Sequence, residues 1–295
     1  MNVAPWPAIA AGIAQTSGVP FKLESRTPAG GGCINEAYRV AGAGQTFFVK
    51  LNSAARLAMF EAEHDGLAEI AATATIRVPK PVCTGADAQH AWLVLEHIQP
   101  GEARTGSMAR LGEALAQLHR VTSAKFGWRR DNTIGATPQI NTETGDWINF
   151  WREHRLCFQL ALAAHNGAPS TLVTSGERLA ADFSKLFASI DIKPSLLHGD
   201  LWGGNAAFDR SGAPLVFDPA VYYGHREADI AMTELFGGFS ADFHAAYRAA
   251  FPLDAGYAVR KQLYNLYHVL NHFNLFGGGY AAQAQALIDG LLAEV

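Results

Sequence analysis

The spacing of apolar residues changes character once along this 295-residue chain, at residues 99–106 (QPGEARTG). Upstream, from Phe21 to about His97, short β-rich runs alternate with Gly and Pro turns. RTPAGGGCINEAYRV at 26–40 is a Gly-rich turn entering an alternating segment, AGAGQ at 41–45 is a second turn, and TFFVKL at 46–51 is a strand. Residues 54–72 interrupt this pattern, with Leu57, Phe60, His64, Leu67 and Ile70 along one helix face and Ser53 as cap. VPKP ends that helix, and AWLVLEHI at 91–98 is a buried strand. Downstream the period becomes helical. Met108, Leu111, Leu115 and Leu118 form one stripe, and helices fit 145–164, 175–189, 228–250 and 257–275. The expectation is an α+β fold with a small β-rich unit, 1–98, and a larger, mainly helical unit, 99–295.

One stretch of the helical part departs from the helical period. At 196–218 an apolar run ends in His198-Gly199-Asp200, a short AAF strand leads into the turn DRSG, and PLVFD returns as a strand. This places Asp200, Asn205 and Asp218 on loops beside short strands, where side chains with chemistry to do are commonly presented.

Composition narrows the class of partner. Hydrophobic residues make up 49% and charged residues 17%, enough for an extensive core. A net charge of −4 supplies no general field for nucleic acid or an anionic membrane. Cys33, Cys83 and Cys157 fit neither a disulfide framework nor a zinc site, and no apolar run is long enough to span a bilayer. The N-terminal residues lack the basic region that precedes the apolar stretch of a signal peptide. A soluble cytoplasmic protein that binds neither nucleic acid nor membrane is expected, with its oligomeric state open.

The polar residues fall in the order that phosphoryl transfer from a nucleotide requires. Gly30, Gly31 and Gly32 stand where one strand turns into another, so backbone N–H groups can close over phosphates; an ordinary hairpin turn is the other reading. Lys50 ends a buried strand, with Glu63 or Glu61 on the next helix to aim it. Asp200 and Asn205 have the D-x-x-x-x-N spacing in which the Asp orients the attacking hydroxyl and the Asn binds metal. Asp218 is a second carboxylate for Mg²⁺ bridging the phosphates of ATP.

HGDLWGGN at 198–205, followed by FDPAVYYGHREADIAM at 217–232, resembles the fructosamine kinase (ketosamine-3-kinase) family, relatives of aminoglycoside and choline kinases. The resemblance extends through FFVK, MFEAEHDGL, LEHI, LAQLHR, NTIG, the Gln139-Ile140-Asn141 segment, WINFWREHRL and LNHFNLFGGGY. It implies a protein-kinase-like two-lobed fold with ATP in the cleft and phosphorylation of the 3-hydroxyl of a ketoamine, a step in deglycation repair. Lys50 and Glu63 would be the ion pair, Asp200 the base, Asn205 and Asp218 the Mg²⁺ ligands. Glu96, His97 and Ile98 would be the hinge whose backbone receives adenine. His198-Gly199-Asp200 lacks the arginine of the protein-kinase HRD motif, so no activation-loop phosphate is read and a constitutively competent enzyme is expected. An aminoglycoside or amino alcohol as acceptor, and an inactive nucleotide-binding scaffold, are the alternatives.

The acceptor is less sharply drawn. Trp202 lies two residues from Asp200, and Tyr222, Tyr223 and His225 follow Asp218, so aromatic faces and hydroxyls are available to a sugar. Glu227 and Asp229 suit a protonated amine, and His272 and Asn274 suit the same site. Asp229 has a second reading, as a group that pins the catalytic loop, and Trp147, Trp151 and His272 have second readings as core. Cys33 is either a small inert thiol or an exposed thiolate open to oxidation inside the phosphate loop.

Overall fold

The computed structural model describes residues 5–30, 34–188 and 190–295. They form two compact units: Met1–Arg104 with Ala207–Asp218, and Thr105–Ala206 with Pro219–Val295.

The first unit is built on a five-stranded antiparallel sheet. Its strands are β1 (Ser25–Pro28), β2 (Glu36–Gly42), β3 (Gln45–Ser53), β4 (Pro81–Ala86) and β5 (His90–Glu96), in the order β1-β2-β3-β5-β4. Ala43 and Gly44 both take positive φ (49° and 73°), the twist that a two-residue turn between antiparallel strands favours. Helix α1 (Trp6–Ser17) covers one face, where Ile9 and Ile13 join Val40, Val49, Leu51, Trp92 and Val94 in one core cluster. Successive side chains of a strand point to opposite faces, so Lys50, between Val49 and Leu51, is directed to the other face. That face holds α2 (Leu57–Ala72), whose Phe60, Leu67 and Ile70 are buried.

Neither α1 nor β4 was expected from periodicity. Ala54–Arg56 is a 3₁₀ turn ahead of α2, and the Ser53 side chain makes no capping bond. The segment 99–106 is also more than a linker. β6 (Pro100–Gly101) pairs with the strand Ala206–Asp209, with Phe208 opposite Gly101 and Asp209 opposite Pro100. A Cβ on Gly101 would lie 2.3 Å from the Asp209 carbonyl oxygen, so only glycine allows this approach. Arg77 ties the same hairpin to the sheet, reaching Glu96 at 2.9 Å and Asp209 at 3.2 Å. The expected division at residue 98 therefore moves to Arg104, and 207–218 joins the first unit.

In the second unit the helices are α3 (Ser107–Leu118), α4 (Trp147–Trp151), α5 (Phe158–His165), α6 (Ser170–Asp182), α7 (Glu227–Leu235), α8 (Ala241–Ala250), α9 (Tyr257–Phe276) and α10 (Tyr280–Leu292). α4 and α5 are the expected 145–164 helix, joined through a π turn at Arg152–Cys157. The expected 228–250 helix breaks at Gly237 and Gly238, both at positive φ. The expected 175–189 helix instead runs from Ser170 to Asp182 and tightens into a 3₁₀ turn, Phe183–Phe187. Two short strand pairs complete the unit: the hairpin β7 (Asn132–Ile134) with β8 (Thr137–Gln139), and β9 (Ser195–Leu197) with β10 (Tyr222–Gly224). Among the described residues no helix is long and apolar enough to cross a membrane.

Candidate active site

The first unit gathers Lys50, Glu63 and Asp218. Lys50 Nζ lies 2.6 Å from Glu63 Oε1 and 2.6 Å from Asp218 Oδ1. Lys50 and Glu63 are nearly sealed from solvent, whereas the Asp218 side chain is 43% exposed. Burial disfavours the Lys50 ammonium, but the Glu63 and Asp218 charges outweigh it and hold the group above the ordinary lysine range. Burial pushes Glu63 up, and Lys50 pulls it back. Asp218 has φ 56°, a left-handed backbone that Asp tolerates better than most residues, at the sharp exit from the Pro214–Val216 strand.

Glu96 ends β5 with its side chain held by Arg77 and by the Lys80 N–H. His97 and Ile98 follow, half-buried and outside any strand; burial and then Arg39 lower the His97 pKa. Gly30 is exposed, with open space around it. Gly31, Gly32 and Cys33 lie outside the described residues.

The second unit carries the loop of Asp200. Asn205 Nδ2 donates to the Asp200 carbonyl at 2.8 Å and to Asp200 Oδ2 at 3.3 Å, so the five-residue spacing closes a turn around the acid. Asn205 Oδ1 and the Asp218 carboxylate are hard oxygen donors of the kind Mg²⁺ prefers. Gly199 has φ +83°, and a Cβ there would sit 2.0 Å from the Ala220 carbonyl oxygen. The arginine of an HRD motif has no room in this backbone.

Asp229 takes the second of its two readings. Its carboxylate accepts from the His198 N–H at 2.7 Å and the Gly199 N–H at 2.8 Å, and from His119 Nε2 at 3.1 Å. His119 Nδ1 meets the Tyr247 hydroxyl at 2.8 Å, which in turn accepts from Arg226. Burial lowers the His119 pKa, so the ring is neutral, donating from Nε2 and accepting at Nδ1. Burial opposes the Asp229 carboxylate, but the hydrogen bonds it accepts, from His119 first and from the loop N–H groups, outweigh it, and its pKa lies below the usual range.

Several proposed acceptor contacts are engaged elsewhere. Buried Tyr222 lies under the Arg155 guanidinium and stacks on Phe150. His225 is buried against the Tyr264 hydroxyl at 2.6 Å, and Glu227 forms a two-pronged pair with Arg260 at 2.8 Å. Core partners thus take up the polar atoms of His225, Glu227 and Asp229 and the ring of Tyr222, against the expectation that these residues face an acceptor. Trp147 and Trp151 are core. Tyr223 is half-buried, its backbone exchanging bonds with Gly127. His272 Nδ1 meets the His268 carbonyl, and its ring lies against Phe236, Phe276 and Tyr280; Asn274 bonds Gln159. Trp202 is 42% exposed. Gly204 makes way for its ring, since a Cβ there would be 2.2 Å from it.

His119 was overlooked as a candidate, although it ends the α3 stripe one turn after Leu115. Comparison with known proteins settles the family: the fructosamine kinase model matches residues 5–294. This chain belongs to the fructosamine kinase family. The family relationship makes it a phosphotransferase that acts on a hydroxyl group. A probable ketoamine kinase of Synechocystis sp. is 50% identical over 98% of this chain and 97% of its own length. The crystal structure of a Haemophilus somnus 129PT protein provisionally named a fructosamine-3-kinase superposes with a TM-score of 0.89, at 31% identity over 97% of both chains. A choline kinase from Streptococcus pneumoniae, 13% identical, has a TM-score of 0.64 over 98% of this chain and 99% of its own, which shows the protein-kinase-like fold.

Proposed function

We propose that the protein transfers the γ-phosphoryl group of ATP to the 3-hydroxyl of a ketoamine, a sugar rearranged onto a free or protein-bound amine. Asp200 orients the acceptor hydroxyl and takes its proton as the new P–O bond forms. Lys50, aimed by Glu63, places its ammonium on the nucleotide phosphates, and the backbone at Glu96, His97 and Ile98 receives the adenine. Asn205 Oδ1 and the Asp218 carboxylate would hold Mg²⁺, which supplies neutralisation of phosphate charge. Gly30, Gly31 and Gly32 would close over the phosphates. Trp202 offers the exposed aromatic face nearest in sequence to the base, and Tyr223 and His272 are further acceptor contacts in this account.

The observation that carries the proposal is the anchoring of the Asp200 loop. Asp229 takes two successive N–H groups just before Asp200, and Asn205 takes its carbonyl. A base held this way arrives pre-oriented, which reduces the entropy lost at the transition state. Nearly full-length similarity to a probable ketoamine kinase supports the acceptor class.

Replacing Asp200→Ala tests the assignment. ATP affinity, measured by calorimetry, is expected to stay close to wild type, while ketoamine-dependent ADP release falls by about 10²–10⁴-fold, the usual worth of a positioned acid or base. Wild-type turnover in the variant would remove Asp200 from its role.

A further inference from the structure

The NTIG and Gln139-Ile140-Asn141 segments, which have no part in the chemistry above, form a buried polar network in the second unit. Asn132, Gln139 and Asn141 are all nearly sealed from solvent. Asn132 Oδ1 accepts from Gln139 Nε2 at 2.8 Å and from Asn141 Nδ2 at 2.9 Å. Asn141 Oδ1 accepts from Arg155 at 2.8 Å, and Gln139 Oε1 accepts from the Tyr267 hydroxyl at 2.8 Å. The β7–β8 hairpin thus holds its amides in fixed orientation from both sides.

Two donors leave this network for main-chain carbonyls. Gln139 Nε2 donates to Ala220 O at 3.1 Å, and Asn132 Nδ2 donates to Val221 O at 2.8 Å. Ala220 in turn donates its N–H to the His198 carbonyl at 2.8 Å. Its own carbonyl lies over Gly199 so closely that no Cβ fits between them. His198 and Gly199 are the two residues before Asp200. Their N–H groups belong to Asp229, whereas the opposite side of this backbone rests on Ala220 and, behind it, on the amides.

We infer that Asn132 and Gln139 are positioning residues for Asp200: they set the height of the 220–221 backbone, against which the catalytic loop is seated. The inference presupposes Asp200 as the group that orients the acceptor hydroxyl. Neither amide touches substrate in this account. A buried amide network of this kind favours one low-energy arrangement, and removing one member leaves its partners unpaired.

Gln139→Met retains length and volume while removing both the donor and the acceptor. Turnover per folded enzyme, with folded sites counted by ATP binding, is expected to fall by at least about tenfold, since a misplacement of about 1 Å can cost about 100-fold. The KM for ATP stays unchanged. A purely structural role would lower the number of ATP sites and leave kcat per site as it was. Asp200→Asn is assayed alongside. If Asp200→Asn is inactive while folded Gln139→Met keeps kcat within about twofold of wild type, the inference fails and the role of Asp200 stands. If Asp200→Asn turns over like wild type, the assignment of the base fails and the inference falls with it. Should Gln139→Met not fold, Tyr267→Phe removes a single hydroxyl from the same network; a lower kcat with unchanged KM for ATP supports the inference, and an unchanged kcat overturns it.

Discussion

Lys50 is a cation taken out of water between two carboxylates, and its energetics depend on which partner is removed. Replacing Lys50→Met leaves Glu63 buried without its counter-charge, and breaking a buried pair this way costs about 3–5 kcal/mol. The expected loss is at the low end, about 3 kcal/mol, because the Asp218 side chain is 43% exposed and solvent screens its share. Urea unfolding measures the loss; an unchanged midpoint would mean that the pair is not a buried one in solution. A second residue-scale consequence concerns His119, His225 and His268, which burial holds neutral, with His268 lowered to about 3. An unfolded histidine titrates near 6.5, so below that pH the unfolded chain binds more protons than the native one. Their stabilising contribution is fully present above about pH 6.5 and is lost as pH falls toward the folded values, by up to about 1.4 kcal/mol per pH unit for each histidine. Urea unfolding at pH 7.5 and 5.5 is expected to show a marked fall in stability; equal stabilities would show that these rings are not buried neutral. The pairing of Lys50 with Glu63 and the turn joining Asp200 to Asn205 were readable because they depend on residue type and spacing. The engagement of Tyr222, His225, Glu227 and Asp229 was not, because a polar residue near a motif looks the same whether its partner is a substrate or a core side chain.

At the scale of elements, close helix packing explains a glycine that propensity alone would reject. Gly112 lies inside α3, where Ala is favoured by about 1 kcal/mol. A Cβ at that position would lie 2.3 Å from the Phe243 carbonyl oxygen on α8. Overpacking of a tight contact costs about 1–3 kcal/mol, and here the obstacle is backbone. Gly112→Ala is therefore expected to destabilise by about 2 kcal/mol net, read as a lower midpoint in thermal or urea unfolding; a stabilised variant would show that α3 and α8 separate without cost. The central strands and amphipathic helices were legible because their apolar periods are long. The breaks were harder. Gly237 and Gly238 end a helix that its apolar residues would continue, and the π turn at Arg152–Cys157 carries Arg155, whose partners Ile140 O and Asn141 Oδ1 lie outside the helical period. α1 and α10 are short and Ala-rich, with apolar faces that become clear only against the surfaces they cover.

At the scale of the whole molecule, the chain leaves the first unit after Arg104 and returns to it at 207–218, so Asp218 belongs to the sheet unit and Asp200 to the helical one. The hairpin's return depends on the pairing of Phe208 with Gly101 across a long sequence separation, which local spacing does not encode. The function-bearing motifs and family resemblance, by contrast, were legible along nearly the whole chain, and the family match over residues 5–294 agrees with them. The central claim is that this chemistry serves a ketoamine acceptor. The most direct test is ADP release with ATP, Mg²⁺ and a panel of fructose-, ribulose- and erythrulose-amines beside aminoglycosides and choline. Turnover that depends on a ketoamine, with the phosphate found on its 3-hydroxyl by ³¹P NMR, is the predicted result; no turnover of any ketoamine together with robust turnover of another acceptor would contradict it.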